Sequence, residues 1–374
     1  MDGPRRRSIP IRRWCEPVYE GEEESPVGAE MPTNLRVEAS RAAPFPSALS
    51  CEARLLRRDD LPHSVRRPPV RSGYPLMFDT STSGHRTAAE RVGPFATRDF
   101  LATVWRHTAA PGQVPLILSD ERGEVALVEE GDHLGLLGHE DLVDYRSPLG
   151  DAVDLLVEHF GTLGRRRSFR FDSLPSGAAA VITEALDRVG FGYRVATHAE
   201  AAVVDLPATF DEYLIGIGKK QRHEARRKRR RFVGEMGGLS LETFEEPGPV
   251  LDDFFRLHRR SAGRKGRFMT EPMEELFTDL LRADGWRLDA LYGDDNLPAA
   301  VVIAYSDADG YYLYNSAYDP DLRHVSPGVV LLTELIGATI AGGGEVFDFL
   351  KGSEPYKYRM GARARPLLVV EGGT

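Results

Sequence analysis

Cysteine is almost absent: the 374 residues hold two, Cys15 and Cys51. That excludes a disulfide scaffold, an iron–sulfur cluster and a cysteine-ligated zinc site, and no metal is expected. Both thiols sit near the amino terminus, a poor position for a catalytic nucleophile. Lysine is scarce too, 6 against 42 arginines, an imbalance that GC-rich codon usage explains without function. Long apolar runs are missing; the longest, 297–305 and 328–332, fall far short of the ~20 residues a membrane helix needs. Arg5, Arg6 and Arg7 are followed by proline, tryptophan and acids, so no secretory leader is read and the cytoplasm is the expected location. The signatures G-x-S-x-G, H-E-x-x-H and a post-strand G-x-G-x-x-G are also lacking. Gly216-Ile217-Gly218-Lys219 ends like a phosphate loop, but Tyr213 stands where its first glycine belongs and no Ser or Thr follows the lysine.

What is present is the composition of a globular chain, 41% hydrophobic and 28% charged, with net charge 48 − 57 = −9. The total hides a local extreme. Residues 219–231, KKQRHEARRKRRR, hold nine basic side chains and one acid, which leaves −17 on the other 361 residues. Residues 1–90 carry 11 of the 25 prolines, and 14 arginines nearly balance 13 acids without periodicity, the pattern of a disordered tail. From 91 onward the pattern predicts an α/β (α+β) fold in two units, 91–207 and 208–374, of similar element order. Helices are predicted near 95–105, 148–161, 177–189, 209–217, 250–257, 270–281, 326–341 and 354–361. Strands are predicted at 114–118, 125–129, 168–174, 192–195, 201–206, 286–292, 299–305, 311–318, 345–350 and 367–370.

The most informative stretch is 311–328, YYLYNSAYDPDLRHVSPG. A strand ends, a loop brings Arg323, and Ser326-Pro327-Gly328 opens an apolar helix. Unpaired N–H groups at a helix start, a small-residue turn and an arginine together can cradle a pyrophosphate. An ordinary capped helix with an exposed arginine reads the same way locally. Three meandering strands, this loop, a helix, a strand and a Tyr-rich short helix resemble the carboxy-terminal half of the GNAT acyltransferase superfamily. Its coenzyme A loop reads Gln/Arg-x-x-Gly-x-Gly/Ala, and Arg323, Ser326 and Gly328 fall on those positions, serine replacing the first glycine. The stretches 219–231, 311–328 and FDFLKGSEPYKYRMGA (347–362) are similar to the CelD-like and FemAB-like acetyltransferase branch. The likeness is strong from Phe210 onward; 91–207 resembles a degenerate first copy in a tandem, each copy a mixed, mainly antiparallel sheet flanked by helices.

The resemblance implies direct transfer of an acyl group from acetyl-CoA or another acyl-CoA to a small-molecule or glycan amine. An amine of pKa about 10.4 is protonated at neutral pH, and freeing it costs about 4–5 kcal/mol, so a base must help. Asp348 is the first candidate, ahead of Asp289 and Glu334. Tyr356 or Tyr358 offers a hydroxyl to the departing thiolate and Lys357 a charge. Many relatives place the tyrosine four residues before a glycine; four before Gly361 stands Lys357. Asn315 and Ser316 are candidates to pair with pantetheine amides, and Arg222, Arg226 and Lys351 to hold substrate. The basic run is either a solvated face or a polyanion site; tRNA, the FemAB-type donor, is the alternative to acyl-CoA. A non-catalytic polyanion-binding module is the remaining reading.

Overall fold

Apolar and aromatic runs, set off by Gly, Asp and Asn turns, form the mixed α/β fold the sequence predicts, but with one continuous sheet flanked by helices where two were expected. The computed structural model describes residues 6–8, 91–164 and 167–374. The tail expected over 1–90 lies outside the described residues, except β1 (Arg6–Ser8).

The first half opens with α1 (Arg98–Thr108). The antiparallel strands β2 (Gln113–Ser119), β3 (Gly123–Glu130) and β4 (His133–Leu136) follow, and the stub β5 (Leu149–Gly150) pairs with β3. Gly150 sits at φ +62, where a Cβ would meet the Arg122 carbonyl at 2.3 Å, so this crossing requires glycine. Helix α2 (Val153–Thr162) returns the chain to β6 (Ser168–Leu174), parallel to β4. Then come α3 (Ser176–Val189), ended by left-handed Gly190, and the long β7 (Gly192–Asp205).

The second half repeats this order with an added helical entrance. Thr209 caps α4 (Phe210–Gly216) in a capping box with Glu212, and α5 (Gly218–Met236) is the basic run. Strand β8 (Ser240–Phe244) holds β1 on its outer edge and β9 on its inner. Helices α6 (Pro249–Arg259), α7 (Arg264–Phe268) and α8 (Glu271–Leu281) precede the meander β9 (Trp286–Tyr292), β10 (Ala300–Ser306) and β11 (Gly310–Tyr318). A 3-10 turn, Pro320–Val325, leads to α9 (Pro327–Ala341), which connects β11 to the parallel strand β12 (Val346–Lys351). The chain ends in α10 (Pro355–Arg359) and β13 (Arg363–Gly373).

Each half sends its last strand into the other. Strand β7 pairs with β12, β13 pairs with β6, and β7 and β13 pair with each other from Gly192/Gly373 to Val203/Arg363. The middle of the sheet therefore runs β12-β7-β13-β6. One face of β9–β11 packs Leu288, Val301, Ile303 and Tyr312 against α1, α6 and α8. Strand alternation sends their neighbours to the opposite face, where α9 lies and α5 packs on it.

The structure differs from the sequence expectation at several places. The segment from 148 begins as strand β5 before turning helical, and 192–205 is one strand rather than two. Strands β4 and β8 were not predicted. Ser326 stands at the N-cap of α9, but in a left-handed conformation (φ +56) with no side-chain cap bond.

Candidate active site

Strands β11 and β12 pair over only three residues, Gly310–Tyr312 with Val346–Asp348. Beyond them the strands part. In β11 a bulge shifts the register against β10, so that Leu313 and Asn315 face consecutive partners and Tyr314 is extra. In β12, Leu350 takes a left-handed conformation (φ +60), and its N–H donates to Asp348 Oδ1 at 2.8 Å. The result is a V with Tyr314, Asn315 and Ser316 on one arm and Phe349, Leu350 and Lys351 on the other.

Asp348 stands at the foot of the V, fully buried. It accepts from the Tyr145 hydroxyl at 2.7 Å and lies 3.6 Å from the Arg365 guanidinium. Burial raises its carboxyl above the usual range, opposed by those partners. Burial and Asp348 together push the Tyr145 hydroxyl well up. The neighbouring carboxylate is Asp144. It is half-buried and accepts from the Lys351 backbone N–H at 3.2 Å. Burial pushes it up to about 6, against the pull of the Lys351 charge. Lys351 Nζ donates to the Glu140 carbonyl at 2.9 Å and to Ser173 Oγ at 3.0 Å, and Tyr314 donates to the Leu142 carbonyl at 2.9 Å. Residues 140–146 of the first half are thus laced to the V of the second. No periodicity or motif marks Asp144 and Tyr145; the irregular segment between Gly138 and Pro148 gave no signal.

The α10 candidates divide. Tyr356 sets its ring edge-on to Phe349, 6.0 Å between centroids, beside one arm of the V, and burial raises its hydroxyl. Lys357 is buried and spans the carbonyls of Leu350, Lys351 and Gly352 at 3.3, 2.9 and 3.2 Å, with Glu354 at 2.9 Å. It ties down the end of β12. Tyr358 turns to β7, donating to Glu200 at 2.5 Å, which pushes its hydroxyl up to about 12. Asp289 is enclosed by Thr243 Oγ1 (2.6 Å), Arg287 and the Tyr311 hydroxyl (2.8 Å), and Glu334 is held by Arg229 at 2.8 Å. Neither reaches the V.

At the start of α9, Arg323 is exposed, and the N–H groups of Val329 and Val330 turn back to the Ser326 carbonyl. Gly328 leaves the approach open, with the Tyr318 ring 3.6 Å from where a Cβ would stand. Arg323, Ser326 and Gly328 therefore gather at one helix start. Asn315 accepts from the Ser316 N–H at 2.8 Å. Across from Asn315, His258 of α6 is buried with neither ring nitrogen in a well-formed hydrogen bond; burial, then the Lys265 charge, brings it down to about 4, opposed by the Asn315 side chain.

The basic helix α5 lies on α9 through Arg229–Glu334 and reaches the 3-10 turn through Glu235–His324 at 3.1 Å. Phe232, just past the basic run, is its buried anchor. Arg222 and Arg226 are half-buried; Lys219, Lys220 and Arg230 are exposed. At its other end, Tyr213 of α4 donates to the Met360 carbonyl at 3.0 Å, fixing the α4–α5 joint to the end of α10.

The first half has its own V, where β4 and β6 part after Gly135 and Arg170. There Arg146 donates to the Gly138 carbonyl at 2.6 Å and to Asp172 at 3.2 Å, and its backbone N–H bonds the Ser173 carbonyl at 3.0 Å. This V is filled by the chain itself. Among the described residues, no group of three or more His, Cys, Asp and Glu could hold a metal, and no helix is long and apolar enough to cross a membrane.

A parallel strand pair that opens beyond a bulge, joined by a helix whose start lies at the opening, is the arrangement of an acyltransferase domain. Residues 219–358 match the acetyltransferase (GNAT) domain model, and the chain is an acyltransferase carrying that domain. Solved structures share its fold. FemX is 9% identical with TM-score 0.52, over 76% of this chain and 93% of that one. L-PGS from Bacillus licheniformis is 15% identical with TM-score 0.50, over 75% and 93%. A conserved protein of unknown function from Bacteroides thetaiotaomicron is 10% identical with TM-score 0.53, over 78% and 94%. No curated protein matches the sequence.

Proposed function

We propose that the V between β11 and β12 transfers an acyl group from an acyl-CoA thioester directly to a primary amine. The observation that carries this is the opening itself. An extended pantetheine chain, with its two amides, fits as an added strand against the β11 edge that β12 leaves unpaired, beside Asn315 and Ser316. Its diphosphate then meets the α9 start, where Arg323 adds charge and Gly328 leaves room. The amine nitrogen attacks the thioester carbonyl; a C–N bond forms, the C–S bond breaks, and the thiolate takes a proton from Tyr356. Lys357 fixes the strand end from which Tyr356 follows, Tyr358 braces it on Glu200, and Lys351, Arg222 and Arg226 bound the substrate's surroundings. Because Arg146 fills the first V, chemistry is assigned to the second half.

The expected result is that Arg323→Ala weakens CoA binding about tenfold, the loss of one charge-assisted contact. Isothermal titration with CoA checks it; unchanged affinity overturns the cradle. The exposed Lys219, Lys220 and Arg230 along α5, whose far end reaches the same cradle through Glu235, favour a second donor, aminoacyl-tRNA. Filter binding of charged tRNA, with log K falling against log[salt] by roughly 0.9 per phosphate contacted, would select that reading over acyl-CoA.

A further inference from the structure

We infer that the first half supplies the general base for the second: Asp144 takes the proton from the acceptor amine, and Tyr145 and Asp348 are positioning residues. This rests on the acyl-transfer reading above.

Asp348 has no free oxygen. Its Oδ1 receives the Leu350 N–H, and its Oδ2 receives the Tyr145 hydroxyl and faces Arg365. Arg365 also lies over the Tyr145 ring, 5.5 Å to its centroid, and donates to the Arg91 carbonyl. A fully buried carboxylate bonded on both oxygens orients its neighbours. It does not meet a substrate. Asp144 differs in each respect. It is half-buried, a single hydrogen bond from the Lys351 N–H fixes Oδ1, and it lies on the arm of the V that ends at Lys351. The opposite arm carries Tyr314, whose hydroxyl is fixed to Leu142, two residues before Asp144. The short run Asp144-Tyr145-Arg146 has one task per residue. Asp144 holds the Lys351 arm of the V, Tyr145 fastens Asp348 at its foot, and Arg146 fills the V of the first half.

The charge around Asp144 suits the role. Burial raises its pKa to about 6, while the Lys351 and Lys357 ammonium groups restrain the rise and Asp348 adds to it. The group is therefore ionised at neutral pH yet more basic than an ordinary carboxylate. As the C–N bond forms, the nitrogen becomes acidic, its proton passes to Asp144, and the electron pair of the C–S bond leaves with the thiolate.

The test uses the full chain, acetyl-CoA, and a fixed mixture of lysine, glucosamine and spermidine as amines, with free thiol followed colorimetrically. Asp144→Asn, which preserves the Lys351 contact, is expected to lower kcat about 100-fold at neutral pH. The affinity for acetyl-CoA should not change. The wild-type rate should rise with pH through a limb centred near 6 that the variant lacks. Formate added to Asp144→Ala should restore part of the rate, which loss of a purely structural side chain would not allow. An Asn variant with wild-type kcat and an intact acid limb overturns the assignment while leaving acyl transfer standing. A wild-type protein that neither binds acetyl-CoA nor releases thiol overturns the acyl-CoA reading, and this assignment with it.

Discussion

Burial moves Asp144 and His258 in opposite directions, and both shifts leave a trace in stability. Asp144 is raised from an ordinary 3.8 to about 6, so between those values the native state holds a proton that the unfolded chain has released. Its contribution is present at low pH and is lost as pH rises through about 6. His258 is lowered from 6.5 to about 4, so in that window the unfolded chain takes a proton the native ring refuses. That contribution is present above about 6.5 and lost as pH falls through about 4. Each is of order 3 kcal/mol at full extent, and in the wild type they largely offset. The variants should separate them. Asp144→Asn should be more stable than wild type above neutrality, the gain fading as pH falls from about 6 to about 4. His258→Leu should gain on wild type as pH falls from about 6.5 to 4. Urea denaturation across this range checks both; curves parallel to wild type would remove the electrostatic account. A carboxylate that costs stability at neutral pH is also what a base needs.

Elements were legible wherever side chains alternate or recur on one face. The meander β9–β11 carries apolar residues at every second position, and α6 and α8 carry apolar stripes, so their existence followed from the sequence. Strand β4 is four residues long and β8 interleaves Ser, Glu and Thr, too little apolar pattern to register. Thr197 and His198 break the apolar run of β7, which hid its length, although pairing on both sides keeps it one strand. The gathering of Arg323, Ser326 and Gly328 at the start of α9 was legible because Arg, Ser, Pro and Gly are close in sequence. Asp144 was not, because its partners are some two hundred residues away. The opening of the V depends on how closely its closed end fits. At Gly310 a Cβ would stand 2.4 Å from the Val346 carbonyl, backbone against backbone. Gly310→Ala should therefore cost about 1–3 kcal/mol and weaken CoA binding by displacing the arms. Gly161, on α2 with open space around it, is the control: Gly161→Ala should raise stability by about 0.5–1 kcal/mol. Equal effects at the two sites would contradict the packing argument.

At the scale of the molecule, strand partners follow from topology, which no local pattern encodes. The sequence divides into two units at about 207, but β13, the last element of the second, lies between β7 and β6, the strands of the first. Leu367 of β13 packs in the core with α1, α6 and α8; Val370, three residues on, packs in the core with α2 and α3. One strand thus closes both cores, and removing it would leave β6 and β7 each with an open edge. The halves should accordingly unfold together, despite resembling two copies of one fold. Amides of β6 and of β10 should lose hydrogen-exchange protection at the same urea concentration, and a chain ending at residue 362 should protect neither. If residues 208–374 alone retained protected β8–β11 amides, the second half would be an independent domain and the exchanged strand a surface attachment. The same coupling bears on chemistry, since the segment holding Asp144 in the second V is anchored by Arg146 in the first. Loosening the first half should thus lower the transfer rate before it lowers CoA affinity, a split that Arg146→Ala measures directly.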